Sequence, residues 1–390
     1  MPTRLAARTT GIAPFRVVEI MERAWAHERA TGRRVIPLCV GEPGEGTPEV
    51  GLAAARQLLE HPGIHYTPAL GTHSLRNALS AMYAERHGVE VPAERICVTV
   101  GASGALFLAL AALVGADEGL LLADPGYPCN RHMARILGSH AVAVPVGADS
   151  RYQLTAELVE SRWAAGVTGV LAATPSNPTG TVIEPGELAA IADVVAERDG
   201  ALIVDEIYGE LVYGRRRHTV LADRPDAFVV NSFSKTFGMT GWRIGWLVCP
   251  SWAMRTVEVL AQNLLISPPA PSQAAALGCL SADGWQEAER RRQAYEVRRD
   301  LVVGELRRLG FGVPIVPEGA FYAYADCSAF LRPGEDSEAL CHRLIETAEV
   351  AVTPGTDFGD HGATHHVRFS YAGATEDLVE GLRRLAATLG

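Results

Sequence analysis

A lysine at position 235 stands in Ser232-Phe233-Ser234-Lys235-Thr236-Phe237-Gly238-Met239-Thr240-Gly241-Trp242-Arg243, with no carboxylate beside it. Among Ser, Phe, Gly and Met, an ammonium can be desolvated. Burial disfavours the charged form and leaves a neutral amine able to form an imine with an aldehyde. Ser232, Ser234 and Arg243 supply hydroxyls and a guanidinium suited to a phosphate. A bare Ser-x-Ser-Lys reads equally as a surface lysine after a strand; the two glycines and the Gly-x-Arg that follow favour a site. Asp205-Glu206-Ile207-Tyr208 closes an apolar run upstream, and Val367-Arg368-Phe369-Ser370 puts a guanidinium on another. A buried arginine needs a carboxylate, either in an internal salt bridge or from a ligand that its planar fork can grip.

These residues need elements to aim them. Short runs rich in Val, Ile and Leu, without polar alternation, lie at Ile96–Val100, Gly119–Ala123, Ala141–Val144, Val170–Ala173, Ala201–Asp205, Phe228–Ser232 and Ile244–Cys249. That is how strands buried on both faces read. Helical spacing lies between them, as in Glu187–Arg198 with Leu188, Ile191, Val194 and Val195. Strand–helix alternation predicts an α/β fold: a three-layer, mostly parallel sheet with helices on both faces. Such sheets bind ligands at the carboxyl ends of their strands. Residues 14–31 read as one amphipathic helix, and residues 285–390 mix charged helices with short strands. The expected division is a large domain over 46–284 and a smaller α+β domain over 285–390, joined by an N-terminal segment, 1–45.

Loops after the strands carry further candidates. Thr174-Pro175-Ser176-Asn177-Pro178-Thr179-Gly180 is a turn whose Pro and Gly aim the Asn177 side chain. Gly101-Ala102-Ser103-Gly104 opens the apolar run Ala105–Val114, and small residues at a helix start expose N–H groups able to hold phosphate. Tyr127 in Asp124-Pro125-Gly126-Tyr127 and Tyr66 in His65-Tyr66-Thr67 read alone as loop aromatics.

Ser-x-Ser-Lys-x-Phe-x-x-x-Gly-x-Arg-x-Gly resembles the active-site signature of the class I/II aminotransferases. These are aspartate-aminotransferase-like, fold-type-I enzymes of pyridoxal 5'-phosphate. The other segments occur in the family's order, so the resemblance covers nearly the whole chain. It implies that Lys235 carries the cofactor as a Schiff base and shuttles a proton between Cα and C4′. It implies that Ser232, Ser234 and Arg243, with the backbone at Ala102 and Ser103, hold the phosphate. Asp205 would face the pyridine nitrogen, Tyr208 and Asn177 would bond the ring O3′, and Tyr127 would stack on the ring. Arg368, supported by Asn177, would take the substrate carboxylate, and Gly41 would add a backbone contact. Tyr66 would reach the phosphate of a neighbouring subunit, which implies a homodimer with shared sites.

The implied reaction is a ping-pong exchange between an amino acid and a 2-oxo acid such as 2-oxoglutarate. Relatives that take aspartate carry a lysine where Ser103 stands, which leans the donor towards neutral or aromatic side chains. The family's Asp-Phe-Asp is replaced by Gly44-Glu45-Gly46, a change expected to loosen the loop or reshape the substrate mouth. Ile12, Pro14 and Phe15 are candidates for a lid, or for anchoring the first helix. A C–S β-lyase shares every one of these motifs. A cofactor-sensing regulatory protein is opposed by the lack of a helix-turn-helix or basic appendage.

Bulk properties agree. A length of 390 residues suits two domains, and a net charge of −10 argues against nucleic acid or anionic membrane as a partner. Seven cysteines without a CxxC pair point to a reducing cytoplasm. No secretory leader is visible, and the longest apolar run is too short to span a bilayer.

Overall fold

The computed structural model describes residues 5–390. Its centre is a seven-stranded sheet of β1 (Ile96–Thr99), β2 (Gly119–Asp124), β3 (His140–Pro145), β4 (Val167–Ala173), β5 (Ala201–Asp205), β6 (Phe228–Ser232) and β7 (Gly245–Val248). The spatial order is β1-β7-β6-β5-β4-β2-β3. All neighbours are parallel except β7, which runs antiparallel to β6 and β1.

The apolar runs form strands because both of their faces are covered. Val98, Leu121, Val170, Val204 and Val229 enter one core, while Cys97, Leu120, Leu171, Ile203 and Val230 enter the other. Successive side chains point to opposite faces, so a strand in the middle layer must be apolar at every position. The edge strand β3 departs from this pattern, with His140, Ala141 and Ala143 exposed, whereas β1, at the opposite edge, is buried throughout.

A third core gathers Ile20 and Ala24 of α1 (Arg16–Thr31), the segment Val35–Cys39, and side chains from Tyr295 to Leu385. Two small sheets lie within it. Ile36–Pro37 pairs in parallel with Val350–Ala351. β8 (Tyr322–Asp326), β9 (Thr353–Pro354) and β10 (His366–Ser370) form an antiparallel sheet in the order β9-β10-β8. The N-terminal helix therefore packs with the C-terminal third of the chain. No helix among the described residues is long and apolar enough to cross a membrane.

Candidate active site

The carboxyl ends of β1, β2, β4, β5 and β6 deliver, in turn, Gly101, Tyr127, Asn177, Asp205 and Lys235 to one rim of the sheet. Arg243 precedes its strand, which a wholly parallel sheet would put at the far edge. The reversal of β7 corrects this: Gly245 pairs with both Ser232 and Thr99, so the start of β7 lies beside the ends of its neighbours. The rim opens into a cavity of about 450 Å³.

Lys235 sits on a single helical turn, Phe233–Thr236, capped by the Ser232 hydroxyl, which accepts from the Ser234 N–H at 3.0 Å. Its Nζ donates to the Gly41 carbonyl at 2.7 Å. Burial pushes its pKa down from 10.5 to about 8. Arg368 and Arg243 push the same way, while Glu42 and Asp205 oppose them. Burial likewise pushes Asp205 up to about 6, although the Ile207 N–H donates to its Oδ1 at 3.1 Å and Lys235 lies near. The site thus holds an amine poised to lose its proton and a carboxylate that gains from a cationic partner.

Arg368, 4% exposed, is held from three directions. It donates from Nη1 to Asn177 Oδ1 at 2.9 Å, and from Nη2 to the Cys39 carbonyl at 2.7 Å and Thr353 Oγ1 at 3.2 Å. Its Nε has no partner in the chain, and no carboxylate salt-bridges it among the described residues. Asp357 lies near enough to feel its charge, but a buried guanidinium with a free Nε and no salt-bridged carboxylate is arranged for an external anion.

Ala102 and Ser103, at the start of α2 (Gly101–Leu113), line the same cavity, as do Ser234 and Arg243. Gly101 is required there. Its φ is +70°, and a Cβ would stand 2.7 Å from Arg243 Nη2. Gly245 meets the same limit, because a Cβ would lie 2.8 Å from the Ala102 nitrogen. The cup is therefore backbone and guanidinium at close range, with N–H groups of a helix start facing in.

The comparisons with known proteins agree over the full length. The family description Aminotransferase class I and II matches residues 33–385. A valine–pyruvate aminotransferase of Mycobacterium tuberculosis is 40% identical, covering 100% of this chain and 99% of that one. A probable aspartate/prephenate aminotransferase of Aquifex aeolicus is 33% identical, with 99% and 98% covered. The chain belongs to the class I and II aminotransferases. Among solved structures, an aminotransferase from Mycobacterium tuberculosis superposes with a TM-score of 0.94 at 39% identity, covering 99% of each chain. Aspartate aminotransferase from Thermus thermophilus gives 0.92 at 32%, covering 99% of this chain and 100% of that one.

Members of this family use pyridoxal phosphate, and the residues of this aminotransferase fit it. The glycine-lined cup suits the phosphate, Asp205 suits a pyridinium, and Lys235 lines the same cavity, within electrostatic reach of both Arg243 and Asp205. Lys235, Asp205, Tyr208, Asn177, Tyr127, Ala102, Ser103, Ser234, Arg243, Arg368 and Gly41 all line the one cavity. Ser232 does not. Its hydroxyl is turned away, bonded to Ser234 Oγ at 2.8 Å and the Ile244 carbonyl at 3.0 Å. Tyr66 also lies off this cavity, at 82% exposure. Of the lid candidates, Phe15 lines the cavity, edge-on to Tyr127, while Ile12 and Pro14 do not.

Gly44-Glu45-Gly46 does not loosen the loop. Tyr295 donates to Glu45 at 3.0 Å, Arg298 pairs with it at 3.2 Å, and Arg291 donates to the Gly46 carbonyl. None of the three residues reaches the cavity. Sequence reasoning missed two features. One is Val17, Val18, Met21 and Trp25, an α1 face that forms cavity wall, with Val17 and Met21 also packing on the third core. The other is Tyr322, whose hydroxyl lies 2.8 Å from that of Tyr208. Both had a signal: the α1 pattern carries more apolar positions than one face needs, and strand pairing puts Tyr322 on the face of Arg368.

A first test concerns the amine. In cofactor-free protein, trapping of an added aldehyde on Lys235 by borohydride should rise with pH through a midpoint near 8, because the lowered pKa exposes neutral amine above that value. Mapping of the trapped peptide across a pH series gives the midpoint; one near 10.5 contradicts the desolvated site.

Proposed function

We propose that this aminotransferase moves the amino group of a neutral, apolar L-amino acid to a 2-oxo acid in two ping-pong half-reactions, with pyridoxal 5'-phosphate joined to Lys235. The observation that carries this reading is the meeting of a depressed lysine, a raised carboxylate and an unpaired buried arginine in one cavity. When bound, the cofactor supplies an electron sink that makes the Cα–H bond of the amino acid acidic.

The chain's own residues do the rest. Lys235 is the base that would take the proton from the substrate Cα and hold it for return. Asp205 holds the proton on the pyridine nitrogen. Arg368 fixes the α-carboxylate, and its bond to Asn177 ties that grip to the ring. Tyr208 and Asn177 would hold the ring oxygen, Tyr127 would cover the ring, and the α2 start with Ser234 and Arg243 would hold the phosphate. Tyr66, outside its own cavity, serves the neighbouring subunit of a homodimer. The site lies where a large domain over 46–284 meets the remainder of the chain.

The side-chain class follows from the wall. Phe15, Val17, Val18, Met21 and Trp25 present apolar surface, and the cavity cations are Lys235, Arg243 and Arg368, each with a role already. Among the described residues lining the cavity, no further cation is left for a second carboxylate. The relative named valine–pyruvate aminotransferase points the same way, to valine as donor and pyruvate as acceptor. The test is a screen of loaded enzyme with single amino acids and pyruvate, quantifying each 2-oxo acid formed. Valine, leucine and phenylalanine should exceed aspartate in kcat/KM by about 10–200-fold, the range an apolar pocket achieves. Equal or better use of aspartate would overturn the side-chain assignment. Ammonia and pyruvate from a cysteine conjugate, without amino transfer, would mark a β-lyase instead.

A further inference from the structure

Tyr322 makes contacts that no other side chain combines. Its hydroxyl bonds that of Tyr208 at 2.8 Å. Its ring lies under the Arg368 guanidinium, 4.3 Å from centroid to Cζ. It also sets the requirement for glycine at 41, where a Cβ would stand 2.5 Å from the Tyr322 hydroxyl; the Gly41 carbonyl is the acceptor for Lys235. Strand pairing places it there. Arg368 on β10 faces Tyr324 on β8, and Tyr322, two residues away, shares that face.

We propose that Tyr322 is a positioning residue for both ends of the reaction: its hydroxyl donates to Tyr208, leaving the Tyr208 proton for the cavity, while its ring seats Arg368 for the substrate carboxylate. This rests on the cofactor reading above. The direction of the hydrogen bond follows from the pair's surroundings. Tyr208 faces the place where the cofactor's ring oxygen would carry negative charge, so its single proton is committed there. Its lone pair is then free to accept from Tyr322. A donor that itself accepts a hydrogen bond is strengthened. The groups facing the pair are Arg368, Tyr127 and Tyr371, with Lys235 Nζ 6.0 Å from the Tyr208 ring, and among the described residues no carboxylate hydrogen-bonds either hydroxyl.

Two variants separate the two roles. Tyr322→Phe keeps the ring and deletes the hydroxyl. In the holoenzyme, the pH midpoint of the bound cofactor's absorbance change should rise by about 0.5–1 unit, because a weakened Tyr208 donor stabilises the ring oxyanion less. The KM for the amino acid should stay within about twofold, since the guanidinium keeps its platform. Tyr322→Leu removes both, and should also weaken binding of 3-methylbutanoate to cofactor-free protein by roughly 5–30-fold in calorimetry.

An unchanged absorbance midpoint in Tyr322→Phe overturns the relay. Unchanged carboxylate affinity in Tyr322→Leu overturns the seat. Failure of the cofactor reading itself looks different: wild-type protein would then take up no chromophore at all.

Discussion

Lys235→Ala should lower amino-group transfer by at least about 10³–10⁴-fold while leaving the fold intact, because it removes the only group placed to move the Cα proton. Nothing in the core depends on this side chain. The helical turn that carries it is capped by Ser232, and its one hydrogen bond goes to the Gly41 carbonyl, at the cavity. Stability should move the other way from activity. In the unfolded chain the lysine keeps its ordinary pKa of 10.5, and in the folded protein that value falls to about 8. The unfolded state therefore binds more protons between those limits, so native stability rises with pH across the window. Below about pH 8 the buried ammonium, beside Arg368 and Arg243, is a full penalty.

Replacing it with alanine lifts that penalty. Cofactor-free Lys235→Ala should melt at or above the wild-type temperature at pH 7, with the gap closing as pH approaches 10.5. Thermal melts of the two cofactor-free proteins across pH, beside steady-state rates of the loaded ones, measure both effects. A variant that transfers amino groups at the wild-type rate removes Lys235 from the mechanism. A variant that melts well below wild type at pH 7 removes the claim of stored desolvation.

The sheet was legible because a doubly covered strand must be apolar at successive positions, and the seven strands obey that rule at all but β3. The residues around Lys235 were legible because their chemistry is local: serines, glycines and an arginine compressed into one turn. What the sequence concealed depends on contacts between distant segments. Glu45 looked like a loosened loop residue, yet Tyr295 and Arg298 on the long helix Ala282–Leu309 pin it. Val17, Val18, Met21 and Trp25 carry an ordinary amphipathic pattern, and only the packing of α1 against the small sheets turns that face to the cavity. Tyr322 lies in an apolar stretch where a tyrosine reads as core. Its meaning appears once the β8–β10 register sets it beside Arg368. Local chemistry survives reading in one dimension, whereas roles assigned by strand register do not.

That register is also why Arg368 carries the second large effect. Arg368→Ala should reduce kcat/KM for the amino acid by about 30- to several-thousand-fold, the equivalent of ~2–5 kcal/mol for truncating one partner of a buried, hydrogen-bonded charge pair. Both parameters should suffer. KM rises because the carboxylate loses its counter-charge, and kcat falls because the same grip aims the Cα–H bond at Lys235. Arg368→Lys should recover less than half of the lost free energy. An ammonium restores charge but not the planar fork, and its three N–H groups, if spent on Asn177, the Cys39 carbonyl and Thr353, leave none for the substrate, whereas the guanidinium keeps its Nε free. Cofactor retention should stay near wild type in both variants, because Arg368 bonds none of the cup residues Ala102, Ser103, Ser234 and Arg243. Dialysis against cofactor-free buffer, followed by absorbance, reads retention separately from turnover. An Arg368→Ala enzyme with wild-type KM would show that the unpaired Nε faces no substrate. One that instead sheds its cofactor would make the arginine a structural clamp between β10 and the Asn177 loop, since the carboxylate-binding role moves KM and leaves retention alone.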